Sequence, residues 1–337
     1  MDVTIVTRDG ARLGVPCAEG QNVLAGAEEA GLYLPSMCRE GSCGMCAAHV
    51  TEGAYEMGAC AEGALPKGEG GVLLCRCLAL SDLVVEVPVR DEQIGRHRVP
   101  ERRAVIAGLV PAGAGALAVT LQLEADETYG AAADFVPGQF FEMTLPGADV
   151  RRAYSLANLP NWDGRLEFII RLVPGGRFSG WLAAEARVGQ MLELRGPMGH
   201  FALDEASPRP RVLVAGGCGV APILSLLRQM AEYGDATPVH LIYGANREAE
   251  FLPPHVLAEM KAALPQLDVT YAVWHPEAGW NGFVGTAAEA LSVVLASGAA
   301  VPDIYVCGPP RMLEAVEGAA LAAGVPAAQF FAERVQS

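Results

Sequence analysis

The 337-residue chain predicts a multidomain fold: a small cysteine-rich N-terminal module, an antiparallel β-barrel, and a C-terminal α/β module on a parallel, Rossmann-like sheet. Three observations predict it. Seven of the nine cysteines fall within the first 77 residues. After a polar stretch at residues 89–100, alternating segments such as 117–123 and 166–172 lie between Pro/Gly turns, the pattern of a small antiparallel barrel. From about Pro208, short apolar runs (212–215, 239–243, 269–273, 304–307) alternate with helical stretches (222–233, 256–264, 286–295, 311–323), the punctuation of βαβ units. The expected modules are 1–90, 98–205 and 206–337, with residues 89–100 as a linker.

Composition excludes several classes. With 51% apolar and 19% charged residues the chain has ample material for cores, so disorder is excluded. No apolar run approaches the ~20 residues of a membrane span. The start lacks the basic and apolar regions of a signal peptide, so a cytoplasmic protein is expected. A net charge of −15 gives no electrostatic footprint for nucleic acid. Nine cysteines without an export signal argue for metal or redox chemistry over a disulfide framework.

In the first module Cys38, Cys43 and Cys46 stand at C-x4-C-x2-C, the plant-type [2Fe–2S] spacing, whose fourth ligand is distant in sequence. A short loop must wrap a small cluster and aim amides at sulfur, and Gly41 and Gly44 permit that approach because they lack a Cβ. The fourth ligand is Cys60, Cys75 or Cys77. Cys75 is favoured because it ends the apolar run Val72-Leu73-Leu74, so a buried strand end can deliver it. Structural zinc pairs two C-x2–4-C knuckles, and Cys75-Arg76-Cys77 is too tight to supply the second. Cys17 and Cys60 read as ordinary thiols. The module resembles the ferredoxin domain of oxygenase reductases, which implies a β-grasp fold with a hairpin from residues 3–7 and 13–16, a helix at 22–30 and a closing strand at 83–87.

In the second module Arg152-Ala153-Tyr154-Ser155 follows Pro137-Gly138-Gln139-Phe140 by about a dozen residues. A flavin site needs a cation for the pyrophosphate, a flat aromatic surface and a hydroxyl near the redox-active nitrogen. R-x-Y-S supplies all three, with Arg152 and Tyr154 on one strand face and Ser155 on the other. The motif and its P-G-Q-F turn resemble the FAD domain of the ferredoxin–NADP⁺ reductase superfamily. Gly175-Gly176-Arg177-Phe178-Ser179-Gly180 matches that family's second phosphate-binding segment, with Gly176 and Ser179 toward the pyrophosphate at a helix N-terminus. Ile169-Ile170-Arg171-Leu172-Val173 fits the strand lining the flavin, with Ile170 and Arg171 as site residues, and Gly196-Pro197-Met198-Gly199 resembles a structural G-P-x-G turn.

In the third module Gly216, Gly217, Cys218, Gly219 and Pro222 join a buried strand to a helix, where amides and the macrodipole favour a pyrophosphate. Cys307-Gly308-Pro309-Pro310 follows a later strand. The pair resembles the G-G-[TS]-G-x-[AST]-P and C-G-P-x-x-M elements of the same superfamily, which implies Cys307 beside the hydride-transfer position and Gly308 and Pro309 in the nicotinamide pocket. Cys218 departs from the usual Thr or Ser, and a thiol is the weaker donor. After the second strand Arg247 and Glu248 pull in opposite directions, and the acidic tone favours NADH over NADPH. Near the C-terminus Glu333 occupies the place of the family's acidic residue near the flavin. Phe330 and Phe331 are expected in the core, and Val335 stands where relatives carry their last aromatic. His200 and His275 are isolated and read as structural.

The whole chain resembles the reductase components of soluble multicomponent oxygenases, most of all those of di-iron monooxygenases of the methane monooxygenase kind. Tyr154-Ser155-Leu156-Ala157-Asn158-Leu159-Pro160 and Asp303-Ile304-Tyr305-Val306-Cys307-Gly308-Pro309-Pro310 are among the segments that carry it. The resemblance implies an NADH:acceptor oxidoreductase with FAD and a [2Fe–2S] cluster, monomeric and free of membrane or nucleic acid, that delivers electrons to a hydroxylase. It implies catalytic roles for Ser155, Cys307 and Glu333, and cluster ligation by Cys38, Cys43, Cys46 and Cys75. The alternative partner is a Rieske-type dioxygenase.

Overall fold

The computed structural model describes every residue except Glu62, Asp149, Ala299 and residues 335–337. Two compact units result: Met1–Pro100 with Met198–His200, and Glu101–Pro197 with Phe201–Ser337.

The first unit contains β1 (Asp2–Val6), β2 (Arg12–Pro16), α1 (Val23–Glu29), β3 (Ala47–Glu52), β4 (Tyr55–Met57), β5 (Gly71–Leu73), β6 (Cys77–Ala79) and β7 (Leu83–Glu86). Its main sheet runs β2-β1-β7-β3-β5, with β1 and β7 parallel at the centre, the β-grasp arrangement. Asn22 caps α1 by accepting from the Ala25 amide at 2.9 Å. The helix buries Val23, Leu24 and Ala27 against Val3, Ile5, Val15 and Val85. The expected linker is not free chain. Residues 91–93 form a 3₁₀ turn, Tyr33 and Gly95 exchange backbone hydrogen bonds at 2.8 and 3.0 Å, and Ile94 is buried in this unit's core. Its polar composition conceals two apolar anchors, the buried Ile94 and the partly buried Val89.

The second unit opens with β8 (Glu101–Pro111), β9 (Ala116–Leu123), β10 (Phe140–Thr144), β11 (Arg151–Ser155), β12 (Arg165–Arg171), α2 (Arg177–Ala184) and β13 (Met191–Met198). The sheet order is β11-β10-β13-β8-β9-β12, and a Leu156–Phe168 bridge brings the two edges together as a barrel. Met143, Leu121, Leu166, Phe168 and Ile170 fill its interior.

There follow β14 (Arg211–Gly216), α3 (Val220–Glu232), β15 (Val239–Ala245), α4 (Pro254–Ala263), β16 (Leu267–Val273), β17 (Phe283–Val284), α5 (Ala287–Ser297), β18 (Asp303–Gly308), α6 (Pro310–Ala322) and β19 (Phe330–Arg334). They build the parallel sheet β17-β16-β15-β14-β18-β19. Strands β14 and β18 are buried throughout, as strands covered on both faces must be. Leu213 and Ala215 face α3 and α4, whereas Val212 and Val214 face α5 and α6. Barrel residues Ala157, Ile169 and Phe201 join the α3 side of this core, so the two halves of the unit share apolar packing. Phe331 stacks on Tyr305 at 4.6 Å and Phe330 packs on the opposite core, as expected of both rings; Val335 lies outside the described residues. Among the described residues no helix is long and apolar enough to cross a membrane.

Candidate functional site

The cysteine loop is shaped by left-handed backbone at Arg39 (φ 57°), Gly41 (φ 81°) and Gly44 (φ 73°). At Gly41 the requirement is strict: a Cβ there would stand 2.9 Å from Arg76 Cγ and 3.1 Å from the Ala59 carbonyl oxygen. The β3–β5 ladder ends with the Leu74 amide donating to Cys46 O at 3.0 Å, which swings Cys75 to Cys46. The four predicted sulfurs come together as two pairs, Cys38 with Cys43 and Cys46 with Cys75, each hydrogen-bonded thiol to thiol. They do not close on one point: among the described residues no three His, Cys, Asp or Glu groups surround a single ion position. Two by two is the arrangement a two-iron cluster requires.

Amides supply the rest. Ser42 and Cys43 N–H donate to Cys38 Sγ at 3.3 and 3.4 Å, Met45 N–H donates to Cys43 Sγ at 3.4 Å, and Gly41 N–H reaches Cys75. The Cys43 thiol, with help from these amides, holds Cys38 down to about 3. A loop that turns these four amide donors toward sulfur fits a cluster bearing anionic sulfurs. The competing residues stand elsewhere. Cys77 is fully buried and burial, with Cys17 beside it, raises it to about 11, while Cys60 backs onto Gly41 from outside the loop.

In the second unit a cavity of about 480 Å³ is walled on one side by Arg152, Tyr154 and Ser155 and on the other by Gly216, Cys218, Gly219, Gly308 and Pro309. Arg171, Gly176 and Ser179 close its end. Arg152, Ala153, Tyr154 and Ser155 all line the space. Tyr154 packs on Phe178 at 5.4 Å between ring centres, and burial raises its hydroxyl pKa. Three guanidinium groups, Arg152, Arg171 and Arg177, and the N-terminus of α2 give the cavity the positive lining that a dinucleotide pyrophosphate requires. Ser179 Oγ is engaged at 3.2 Å with both the amide and the carbonyl of Val173, so its hydroxyl braces the turn before α2.

One expected lining residue is displaced. Ile170 is wholly buried in the barrel interior, and its neighbour Ile169 faces the cavity together with Arg171. Gly217, with φ 52°, lies beside Arg171, and Pro222 is buried in the first turn of α3. At Gly219 a Cβ would fall 2.2 Å from Cys307 O, so only glycine lets this turn cross the end of β18.

Cys307 is 0% exposed and lies beneath the cavity floor, not on it. Its ladder partner on β19 is Glu333, itself buried. Burial, then Glu333 and Cys218, push the Cys307 thiol well up. Burial alone raises Glu333 from 4.5 to about 8, so its carboxyl holds a proton at neutral pH. The folded state thus binds this proton more tightly than the unfolded chain. The resulting stability is complete below pH 4.5 and is lost as pH rises through about 8. Glu333→Gln, uncharged throughout, is expected to flatten that loss, a difference on the order of a few kcal/mol across the window. Thermal unfolding of both proteins on either side of pH 8 checks this, and parallel pH profiles would refute it.

The comparisons agree with this geometry. The model of a 2Fe-2S iron-sulfur cluster binding domain matches residues 6–80, that of an oxidoreductase FAD-binding domain residues 119–203, and that of an oxidoreductase NAD-binding domain residues 213–318. The toluate 1,2-dioxygenase electron transfer component of Pseudomonas putida is 33% identical over 332 residues, covering 97% of this chain and 96% of the relative. The chain belongs to the electron-transfer reductase components of multicomponent oxygenases. Another member of this reductase family, methane monooxygenase component C of Methylosinus trichosporium, is 36% identical over 271 residues, 79% of each chain. The crystal structure of an Amycolatopsis cytochrome P450 reductase superposes with a TM-score of 0.77 at 28% identity, over 98% of both chains. The chain is an oxidoreductase with [2Fe–2S], FAD and NAD domains.

Of the cavity residues only Pro174 lies outside the segments the sequence singles out; Ile169 and Val173 belong to the strand expected to line the flavin, and Ala153, Arg177, Phe178 and Ala221 lie inside the recognised motifs without an assigned role. Which of the two adjacent isoleucines faces the cavity depends on the strand's parity, which the sequence leaves undetermined.

Proposed function

We propose that this reductase takes electrons from NADH and delivers them to the di-iron hydroxylase of a soluble monooxygenase, working as a cytoplasmic monomer of three modules, 1–90, 98–205 and 206–337. The carrying observation is the cavity in which the R-x-Y-S strand and the two glycine-bearing turns of the parallel sheet form facing walls. FAD held by Arg152, Tyr154, Ser155 and the α2 N-terminus would supply two-electron hydride acceptance from NADH and one-electron donation toward the [2Fe–2S] centre.

The chain's own residues do the rest. Cys38, Cys43, Cys46 and Cys75 hold the cluster, and the loop amides stabilise its charge. Arg152, Arg171 and the α2 N-terminus at Gly176 neutralise pyrophosphate, while Ser179 keeps that turn in shape. Tyr154 and the strand at Ile170 support the flavin ring, and Ser155 offers a hydroxyl at its edge. Gly216, Gly217, Cys218, Gly219 and Pro222 seat the nicotinamide nucleotide, with Gly308 and Pro309 shaping the ring's pocket. Cys307 and Glu333 form a dry floor beneath it, and the Glu333 carboxyl keeps a proton there.

NADH is the donor this surface favours. Beyond β15, Asn246 is tied to Glu250 at 3.2 and 3.3 Å, and Glu248 accepts from the Glu277 amide at 2.8 Å. A 2′-phosphate would meet three carboxylates and a single guanidinium, Arg247. Anaerobic titration of the holoprotein tests the reading: NADH should bleach flavin and cluster bands, with kcat/KM at least about tenfold above that for NADPH. Missing bands, or absence of bleaching, would sink it. Full-length similarity to a toluate dioxygenase component supports a second reading, a dioxygenase partner. Reconstitution with each class of oxygenase separates the two.

A further inference from the structure

Helix α3 leaves the glycine turn at Gly216–Gly219 and carries Ser225 and Arg228 three residues apart, hence on one face. Both reach the barrel. Ser225 Oγ, fully buried, donates to Asn158 O at 2.7 Å. Arg228 Nη1 donates to Ala157 O at 2.7 Å and to Glu167 Oε2 at 3.1 Å. Ala157 and Asn158 lie two and three residues beyond the flavin-motif strand, and Glu167 shares β12 with Arg171. The receiving end is itself braced. Asn158 Nδ2 donates to the carbonyls of Leu159 and Arg165, its Oδ1 accepts from the Glu167 amide, and Arg165 pairs with Glu167 at 2.7 Å.

We infer that Arg228, seconded by Ser225, is a positioning residue for hydride transfer: it locks the helix that ends in the nucleotide-binding turn to the strand that ends in the flavin motif. Helix rigidity supplies the lever. From Arg228 back to Val220 the axis runs about 12 Å, so a tilt of about 5° shifts the glycine turn by about 1 Å. A misplacement of about 1 Å between reacting partners costs about a hundredfold in rate. The ion pair itself is a quarter exposed on both sides, 28% and 27%, and pairs of that kind add little to stability. One guanidinium thus fixes two acceptors, Glu167 on β12 and the Ala157 carbonyl two residues beyond β11.

The inference rests on the proposed reading that NADH reduces a flavin in this cavity, and the two fail differently. If wild-type holoprotein is not bleached by NADH, that reading fails. The test compares wild type, Arg228→Met, Arg228→Lys and Glu167→Gln by anaerobic stopped-flow reduction at saturating NADH, by equilibrium NAD⁺ binding, and by amide hydrogen exchange. Arg228→Met keeps the stem and loses both donors. Its saturating reduction rate should fall about 10- to 100-fold, with NAD⁺ affinity within about threefold of wild type. Exchange should rise at residues 156–160 and 216–222. Arg228→Lys, which restores one donor, should recover part of the rate, and Glu167→Gln should lose less than Arg228→Met. An unchanged saturating rate in Arg228→Met overturns the inference. So does a rate loss explained by weaker NAD⁺ binding with unaltered exchange at both segments. Should Arg228→Met not fold, Glu167→Gln decides the matter: wild-type rate and exchange in that variant overturn it.

Discussion

Cys75→Ser is expected to abolish the iron–sulfur absorption and electron paramagnetic resonance signal of the reduced protein while the flavin bands and their bleaching by NADH persist. Turnover with a one-electron acceptor should drop by about a hundredfold or more, since even the groups that merely orient a metal ligand cost about ten- to a hundredfold when removed. The structural reason is the pairing of Cys75 with Cys46, set by the Leu74 bond to Cys46 O, and the amide that Gly41 directs at its sulfur. Cys77→Ser provides the contrast. That thiol is buried beside Cys17, on the far side of a sharp turn, and its loss should cost stability and spare the cluster. Iron analysis and visible spectra of the two variants decide the assignment. A Cys77→Ser protein without cluster beside a Cys75→Ser protein with one would reverse it.

Gly219→Ala should produce a comparably large loss at the other end of the electron path. The added methyl would sit 2.2 Å from Cys307 O and 2.6 Å from Cys307 C, both backbone atoms that cannot rotate away. The turn must therefore lift off the end of β18. Overpacking of this kind costs about 1–3 kcal/mol of stability, and a displacement near 1 Å between nucleotide and flavin costs about a hundredfold in reduction rate. NADH-dependent flavin bleaching should slow accordingly, whereas photochemical or dithionite reduction of the same variant should proceed as in wild type. Wild-type bleaching by NADH in Gly219→Ala would show that the close crossing is not needed for nucleotide seating.

How much of this was legible in the chain depends on the range over which each feature is encoded. The cysteine triplet could be read directly, because wrapping a small cluster is a problem solved within nine residues. The βαβ punctuation was equally local, and helices α3 to α6 fall within two residues of the expected stretches. Parity failed at Ile169 and Ile170, where both residues are apolar and only the tertiary fold decides which faces the barrel interior. The stretch at residues 89–100 looked like linker from composition, yet one isoleucine and two backbone hydrogen bonds to Tyr33 suffice to fold it back. The Arg228 clamp left no mark in the sequence at all, since its acceptors lie 61 and 71 positions away. An arginine on a helix reads the same whether it faces water or a carbonyl.

Strand β19 forms the edge of the parallel sheet beside β18. It supplies both the ring that covers Tyr305 and the carboxyl that backs Cys307. A chain interrupted before Phe330 would carry every glycine turn and every cluster cysteine, yet would lack the floor of its nucleotide pocket.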